Sequence, residues 1–407
     1  MKKALLSLLF LNLLTLASLG QIDADTTSLE DVSILSTTEI EYAKTNVDSI
    51  IIPYSIDLKG KKKKKVKVMP LPVLLVTPET GLAYGAAIQT YFKLGKDTNT
   101  YTSQASIGIQ YTTRKQLLIW PKWDLFLKGN SIRINGDFKY QKYPNKYWGI
   151  GFNTPNSNES DYSYKQVLFN FKWLTEIKNT PVFLGISYKL NTQYDIIPLD
   201  TPNYLTDIER PLGYQSFMTN GIGLAAMWDT RDHNIYPYKG VWVQFTGHYF
   251  IERQGNLNET AFNFFSMQID AREYVSFFKE LKKPHVFAFQ QLLNVNSDEV
   301  PFDMLAKVGG DINGRGYWEG RYRDRIMMSM QAEYRLPLFW KFGAAFFAGA
   351  SEVAPNFDEF DFSNLKWFAG WGIRFAIFEE NRVNIRVDVG YGRDGSTGIY
   401  FKMNEAF

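Results

Sequence analysis

The 407-residue chain has no cysteine, only 3 histidines and a formal net charge of just +3. Without cysteine there can be no disulfide, no thiolate metal site and no lipid attached at a leader cleavage site. His233, His248 and His285 show no metal-ligand spacing among themselves, so no metal is expected. No cofactor is expected either, because Gly309-Gly310 and Gly314-x-Gly316 open no helix and cannot cradle a phosphate. With five of the positives gathered at residues 61–65, no broad basic field is left to suggest nucleic acid. Past residue 20 the chain also lacks an apolar run near the roughly 18 residues of a spanning helix. The longest, near residues 342–350, alternates small residues with aromatics. His248 is predicted to face the same way as serines such as Ser106 and Ser329. No local motif ties them into a nucleophile and base, so an enzyme is not expected.

What is present in quantity is aromatic side chains: 24 Tyr, 31 Phe and 10 Trp, against 21% charged residues. They come in period-two patterns, the mark of strands greasy on one side and wet on the other. Ile326, Met328, Met330, Ala332, Tyr334 and Leu336 oppose Met327, Ser329, Gln331, Glu333 and Arg335. Val241, Val243, Phe245, Gly247 and Tyr249 oppose Trp242, Gln244, Thr246 and His248. Near the end, Val383, Ile385, Val387, Val389 and Tyr391 oppose Asn384, Arg386, Asp388 and Gly390. Such a charged face suits the solvated lumen of a transmembrane barrel. On the lipid face a Lys or Arg would cost about 2–4 kcal/mol at midplane.

Three regions follow. Residues 1–20 read as a secretory leader, with Lys2 and Lys3 ahead of a short apolar core and small residues Ser18 and Gly20 at its end. Residues 21–69 are polar and expected to be a flexible periplasmic segment, with a short helix conceivable over 29–42. The lysine run 61–65, with Lys67, reads as a solvated stretch, or as a contact for anionic headgroups or an acidic partner beneath the barrel. Residues 70–407 are expected to form one all-β, antiparallel outer-membrane barrel. At roughly 20 residues per strand and turn, that length accommodates about sixteen strands, the first near residues 81–94.

Four motifs carry a resemblance. They are Tyr143-Pro144-Asn145-Lys146-Tyr147-Trp148-Gly149-Ile150-Gly151; Trp228-Asp229-Thr230-Arg231-Asp232 with Pro237 and Gly240; Gly309-Gly310 followed by Gly314-Arg315-Gly316-Tyr317; and the last ten residues, including Phe401 and Phe407. In this order they resemble the BamA/TamA family of bacterial surface-antigen barrels. The resemblance implies a barrel in the outer membrane of a Gram-negative bacterium. It also implies a sixth extracellular loop folded inward, whose arginine, here Arg315, meets acids on the inner wall. Glu333 is one such partner by its place on the polar face. Where the family offers a second acid on the next strand, this chain has Gly349, with Glu352 nearby. Asp229, Thr230, Arg231, Asp232 and Gly240 would form a strand-start motif, and Phe401 and Phe407 would belong to a C-terminal strand, ended by Phe407, that assembly machinery reads as a signal. Residues 21–69 do not fit the periplasmic POTRA domains of family members that insert proteins, so a barrel-only version is expected.

The implied role is a partner-dependent factor in outer-membrane biogenesis, in protein insertion or export or in lipid handling. Besides membrane lipids and the assembly machinery, a separately encoded periplasmic or surface partner is expected. The alternative is a passive or loop-plugged channel for small solutes.

Overall fold

The computed structural model of the chain describes residues 66–77, 81–95, 100–252, 263–281, 283–379 and 382–407. The expected leader, the helix over 29–42 and the lysine run 61–65 lie outside the described residues.

The alternating segments become strands, each with its polar side chains on one face. The first half of the barrel is built from β1 (Lys67–Thr77), β2 (Gly81–Phe92), β3 (Ser103–Thr112), β4 (Leu117–Ile119), β5 (Lys122–Leu127), β6 (Ile132–Tyr147), β7 (Ser160–Glu176), β8 (Val182–Pro198) and β9 (Phe217–Asp229). The second half comprises β10 (Gly240–Glu252), β11 (Phe264–Phe277), β12 (His285–Asn296), β15 (Ile326–Pro337), β16 (Phe342–Ala354), β17 (Lys366–Phe378), β18 (Val383–Gly392) and β19 (Thr397–Met403). Between β12 and β15 lies a separate two-stranded ribbon, β13 (Ala306–Val308) with β14 (Tyr322–Asp324). Apart from that ribbon, strands pair antiparallel with their chain neighbours in one sheet. β4 and β5 share a single place between β3 and β6, broken at Trp120-Pro121. Gly108 makes room there: a Cβ on it would stand 2.4 Å from the Trp120 ring.

β19 comes to lie against β1 and closes the sheet into a barrel. Among the described residues no paired register joins these two, so this is the seam. Sequence reasoning placed the first strand near residues 81–94, but β1 precedes it. Pro70 and Pro72 argue against a strand on pattern alone, because proline cannot donate to a ladder. Residues two apart in a strand point their N–H groups the same way. Since β1 keeps an unbroken register with β2 over its whole length, the edge stripped of donors is the one facing β19.

The outer surface is apolar: Ile222 and Leu224 of β9 are 63% and 67% exposed, and Ile107, Ile186, Phe346 and Ile399 also point outward. Gln, Asp, Glu and Arg side chains are buried inside. This inversion is what a lipid-facing barrel requires. Among the described residues no helix is long and apolar enough to cross a membrane; the crossing is by strands. The end with short turns (128–131, 338–341) also holds the start of β1 and the end of β19. It faces the periplasm, and the long connections face outward.

Candidate functional site: a loop docked in the lumen

The connection between β12 and β15 turns back into the barrel. The β13–β14 ribbon forms its stem. Gly309 and Gly310, with φ of 117° and 80°, then reverse the backbone into a single helical turn, Gly310–Asn313. A side chain is excluded at Gly309, where a Cβ would lie 1.9 Å from the Trp318 carbonyl oxygen. At the tip the chain runs against the wall. A Cβ on Gly316 would meet the backbone of Tyr391 and Gly392 at 2.7 Å, and one on Gly390 would lie 2.5 Å from the Arg315 carbonyl oxygen. Glycines on both the loop and β18 therefore permit backbone-to-backbone contact.

Arg315 is fully buried at this point. Its Nη1 donates to Glu333 Oε2 at 2.7 Å and to Asp388 Oδ2 at 2.9 Å, and its Nη2 donates to Gln331 Oε1 at 3.2 Å. The guanidinium carbon lies 3.4 Å from the centroid of the Phe347 ring. A planar, weakly hydrated cation suits both the two carboxylates and the ring face. The carboxylates are shared onward. Glu333 accepts from Arg335 Nε at 2.8 Å and Arg374 Nη2 at 3.3 Å, and Asp388 accepts from Arg374 and Arg386. Arg374 Nε donates to Glu405 Oε2 at 2.8 Å, and Arg386 Nη2 to Asp311 Oδ2 at 3.1 Å. Four arginines thus interlock with four carboxylates, so each buried charge has a counter-charge. The tip is also held by Tyr317 Oη, which donates to the Trp367 carbonyl at 2.9 Å, and by Gly316 N, which donates to Tyr400 Oη at 3.0 Å.

The second acid on Arg315 is therefore Asp388 of β18, not a residue at the Gly349 position. At Gly349 a Cβ would meet Phe368 at 2.5 Å, and the neighbouring inward residue, Phe347, offers Arg315 a ring instead of a carboxylate. Glu352 accepts from the backbone of Asp361 at 2.8 Å. Arg374 and Glu405 escaped sequence reasoning. The signal for Arg374 was a lone charge among the apolar residues that follow Lys366 in β17, two residues past Gly372, where a Cβ would clash with Asp388 and Arg374.

The first motif meets the loop at the outer end. Gly151 N donates to the Arg323 carbonyl at 2.8 Å, and Trp318 Nε1 donates to Asn145 Oδ1 at 2.7 Å. The Asp229–Asp232 motif stands at the opposite, periplasmic end. There Arg231 forms a two-pronged pair with Asp229 at 2.7 and 2.8 Å. Thr230 Oγ1 accepts from Val241 N at 2.9 Å. Asp232 Oδ1 accepts from the backbone of Tyr238 and Lys239 at 2.8 and 3.1 Å. Gly240 has φ of 107°, and a Cβ there would strike the Thr230 carbonyl at 2.4 Å. His248 is buried facing inward, but its partner is Ser187, at 2.8 Å, rather than Ser106 or Ser329.

Phe401 faces outward. Phe407 was expected to end the last strand, and the structure corrects this. β19 stops at Met403, Asn404 takes a φ of 61°, and the chain turns inward. Phe407 packs with Tyr274, Val286 and Ala288, and its backbone oxygen accepts from Arg335 Nη2 at 2.8 Å.

Comparison with known proteins agrees with this architecture. Residues 85–407 match the Omp85 superfamily domain. Among solved structures, BamA from Haemophilus ducreyi lacking POTRA domains 1-3 aligns with a TM-score of 0.51 at 13% identity, over 87% of this chain and 75% of that one. CdiB from Acinetobacter baumannii aligns with a TM-score of 0.53 at 12% identity, over 87% of this chain. The chain spans 64% of the length of CdiB. No curated protein matches the chain. With most of its length in that domain and its barrel closed around an inward loop, the chain belongs to the Omp85 superfamily of integral outer-membrane β-barrels.

Proposed function

We propose that the barrel is a partner-dependent factor in outer-membrane biogenesis that presents its seam to an incoming β-strand during protein insertion or export. The supporting observation is the seam itself. β19 has only 7 residues, against 17 in β7 and β8. Across from it, β1 carries Pro70 and Pro72, which remove donors from the seam edge. An edge with unmatched backbone groups can accept another strand. Short strands there also leave a thin apolar band, which favours local thinning of the bilayer. The docked loop and its ion-pair network fill one side of the lumen, which weighs against a passive solute channel. The test is gentle native purification from the outer membrane with mass spectrometry of co-eluting proteins. A stoichiometric periplasmic or surface protein is expected. A lone barrel with steady conductance, altered by Arg315→Ala, would overturn the reading in favour of a channel.

A further inference from the structure

The connection between β9 and β10, residues 230–239, begins halfway round the barrel from the seam. It is longer than the four-residue turns at 128–131 and 338–341 that share its end of the molecule. The six steps from Asp229 to Ile235 can reach about 20 Å when extended, far enough to leave one wall and approach the other. The side chains show that they do. Ile235 packs against the cluster of Met69, Tyr91 and Val383, and Met403 packs on that same cluster. Met69 belongs to β1 and Met403 ends β19, so the contact involves both edges of the seam.

Polar contacts hold the crossing in place. Asp232 Oδ2 pairs with Arg382 Nη1 at 2.6 Å, just ahead of β18. Arg382 also donates to the Tyr236 carbonyl at 3.1 Å and stacks 3.8 Å from the Tyr238 ring centroid. Tyr236 packs on the Phe407 cluster. The segment is ordered by its own side chains as well: His233 Nδ1 accepts from the backbone of Ile235 and Tyr236 at 3.2 and 3.3 Å. A merely solvated turn would have no need to send an isoleucine across the barrel floor into an apolar cluster on the far wall.

We infer that residues 230–239 form a floor strap, which closes the periplasmic mouth of the lumen and ties β1 and β19 together until it is displaced. Its position at the periplasmic end makes it the point at which a periplasmic protein would act to free the seam. That consequence rests on the proposed strand-accepting role, whereas the strap itself does not.

The absence of native cysteine makes the strap directly testable. Ile235→Cys is combined in turn with Met69→Cys, with Met403→Cys and, as a control, with Thr180→Cys in another periplasmic turn. Each pair is treated in outer membranes with a short, cleavable thiol-to-thiol linker. Linkage is expected for the two seam pairs and several-fold less for the control; equal yields in all three would overturn the strap. In planar bilayers the linked Ile235–Met69 form should show fewer openings than the same sample after cleavage. Identical conductance before and after cleavage would mean that the crossing does not gate the lumen. Asp232→Ala with Arg382→Ala should open more often than the parent, and if that variant fails to fold, the linked pairs still decide. Linkage is read whether or not a partner is ever found, so failure of the strap and failure of the biogenesis role are separable.

Discussion

Arg315 is the residue on which the lumen is organised, because it alone brings a loop cation to two wall carboxylates. Removing it leaves Glu333 and Asp388 buried among fewer counter-charges, and breaking such a pair costs on the order of 3 kcal/mol, less where lumen water reaches it. Arg315→Ala should therefore lower the temperature at which the folded barrel unfolds on semi-native gels. Arg315→Lys should recover only part of the loss, since an ammonium cannot address both acids and the Phe347 face together. Equal unfolding temperatures for all three proteins would refute the lock. The Arg315–Glu333 pair was expected because the family resemblance supplies an inward loop arginine and alternation puts Glu333 on the wet face of the strand following the loop. Asp388 was legible as an inward charge but not as a partner of Arg315. It lies far along the chain, three strands from Glu333, and only the closure of the barrel brings the two acids to one guanidinium. Phe407 was misread for a related reason. An aromatic at the end of an alternating strand continues the pattern on paper, and nothing local announces that Asn404 bends the chain inward. Phe407→Ala should destabilise the finished barrel by about 3 kcal/mol or more, as loss of a buried aromatic does. A variant that inserts poorly but melts normally would instead favour a role in assembly alone.

Among the elements, the docked loop and the floor crossing depend on opposite kinds of local chemistry. The loop depends on missing side chains. Gly390→Ala would place a methyl 2.5 Å from the Arg315 carbonyl oxygen, where neither backbone can yield. The loop should then lift out of the lumen, and trypsin added to intact cells should cleave at Arg321, Arg323 or Arg325 faster than in the parent, where Arg323 is buried. No change in cleavage would mean that the loop has another way to seat. The floor crossing depends on neutral His233. Burial, and then the nearby Arg382, push its pKa down to about 4, with Asp232 opposing and Arg231 adding slightly. An unfolded histidine titrates near 6.5, so between about pH 6.5 and pH 4 the unfolded chain binds the proton that the folded turn refuses. Stability from this residue is full above that window and declines as pH falls through it. His233→Asn, which keeps an acceptor but cannot titrate, should flatten this part of the melting-temperature profile between pH 7.5 and pH 4.5. An unchanged slope would assign the pH dependence elsewhere. Neither the crossing nor β1 was legible in the sequence. The motif at Asp229–Asp232 marked a fixed turn but not its reach, and prolines concealed a strand whose ladder needs only one of its two edges.

For the molecule as a whole, the inward loop was expected only through the family resemblance, while barrel class was readable because it rests on period-two patterning and girdle aromatics, both local properties. Strand inequality was not. β6, β7 and β8 run to 16 and 17 residues while β18 and β19 have 10 and 7, and alternation does not say where a strand leaves the membrane. The four-arginine network has a further consequence once the order of synthesis is considered. Arg315, Arg335 and Arg374 precede Asp388 and Glu405 in the chain. A nascent or truncated polypeptide that stops before β18 carries three lumen-facing cations with Glu333 as the wall acid that meets all three. Such a chain has strong reason not to close. β18 then brings Asp388 together with Arg386, and Glu405, just past the end of β19, adds the carboxylate that pairs with Arg374. The lumen charges are thus matched late along the chain, and barrels truncated before Asp388 should stay open to degradation.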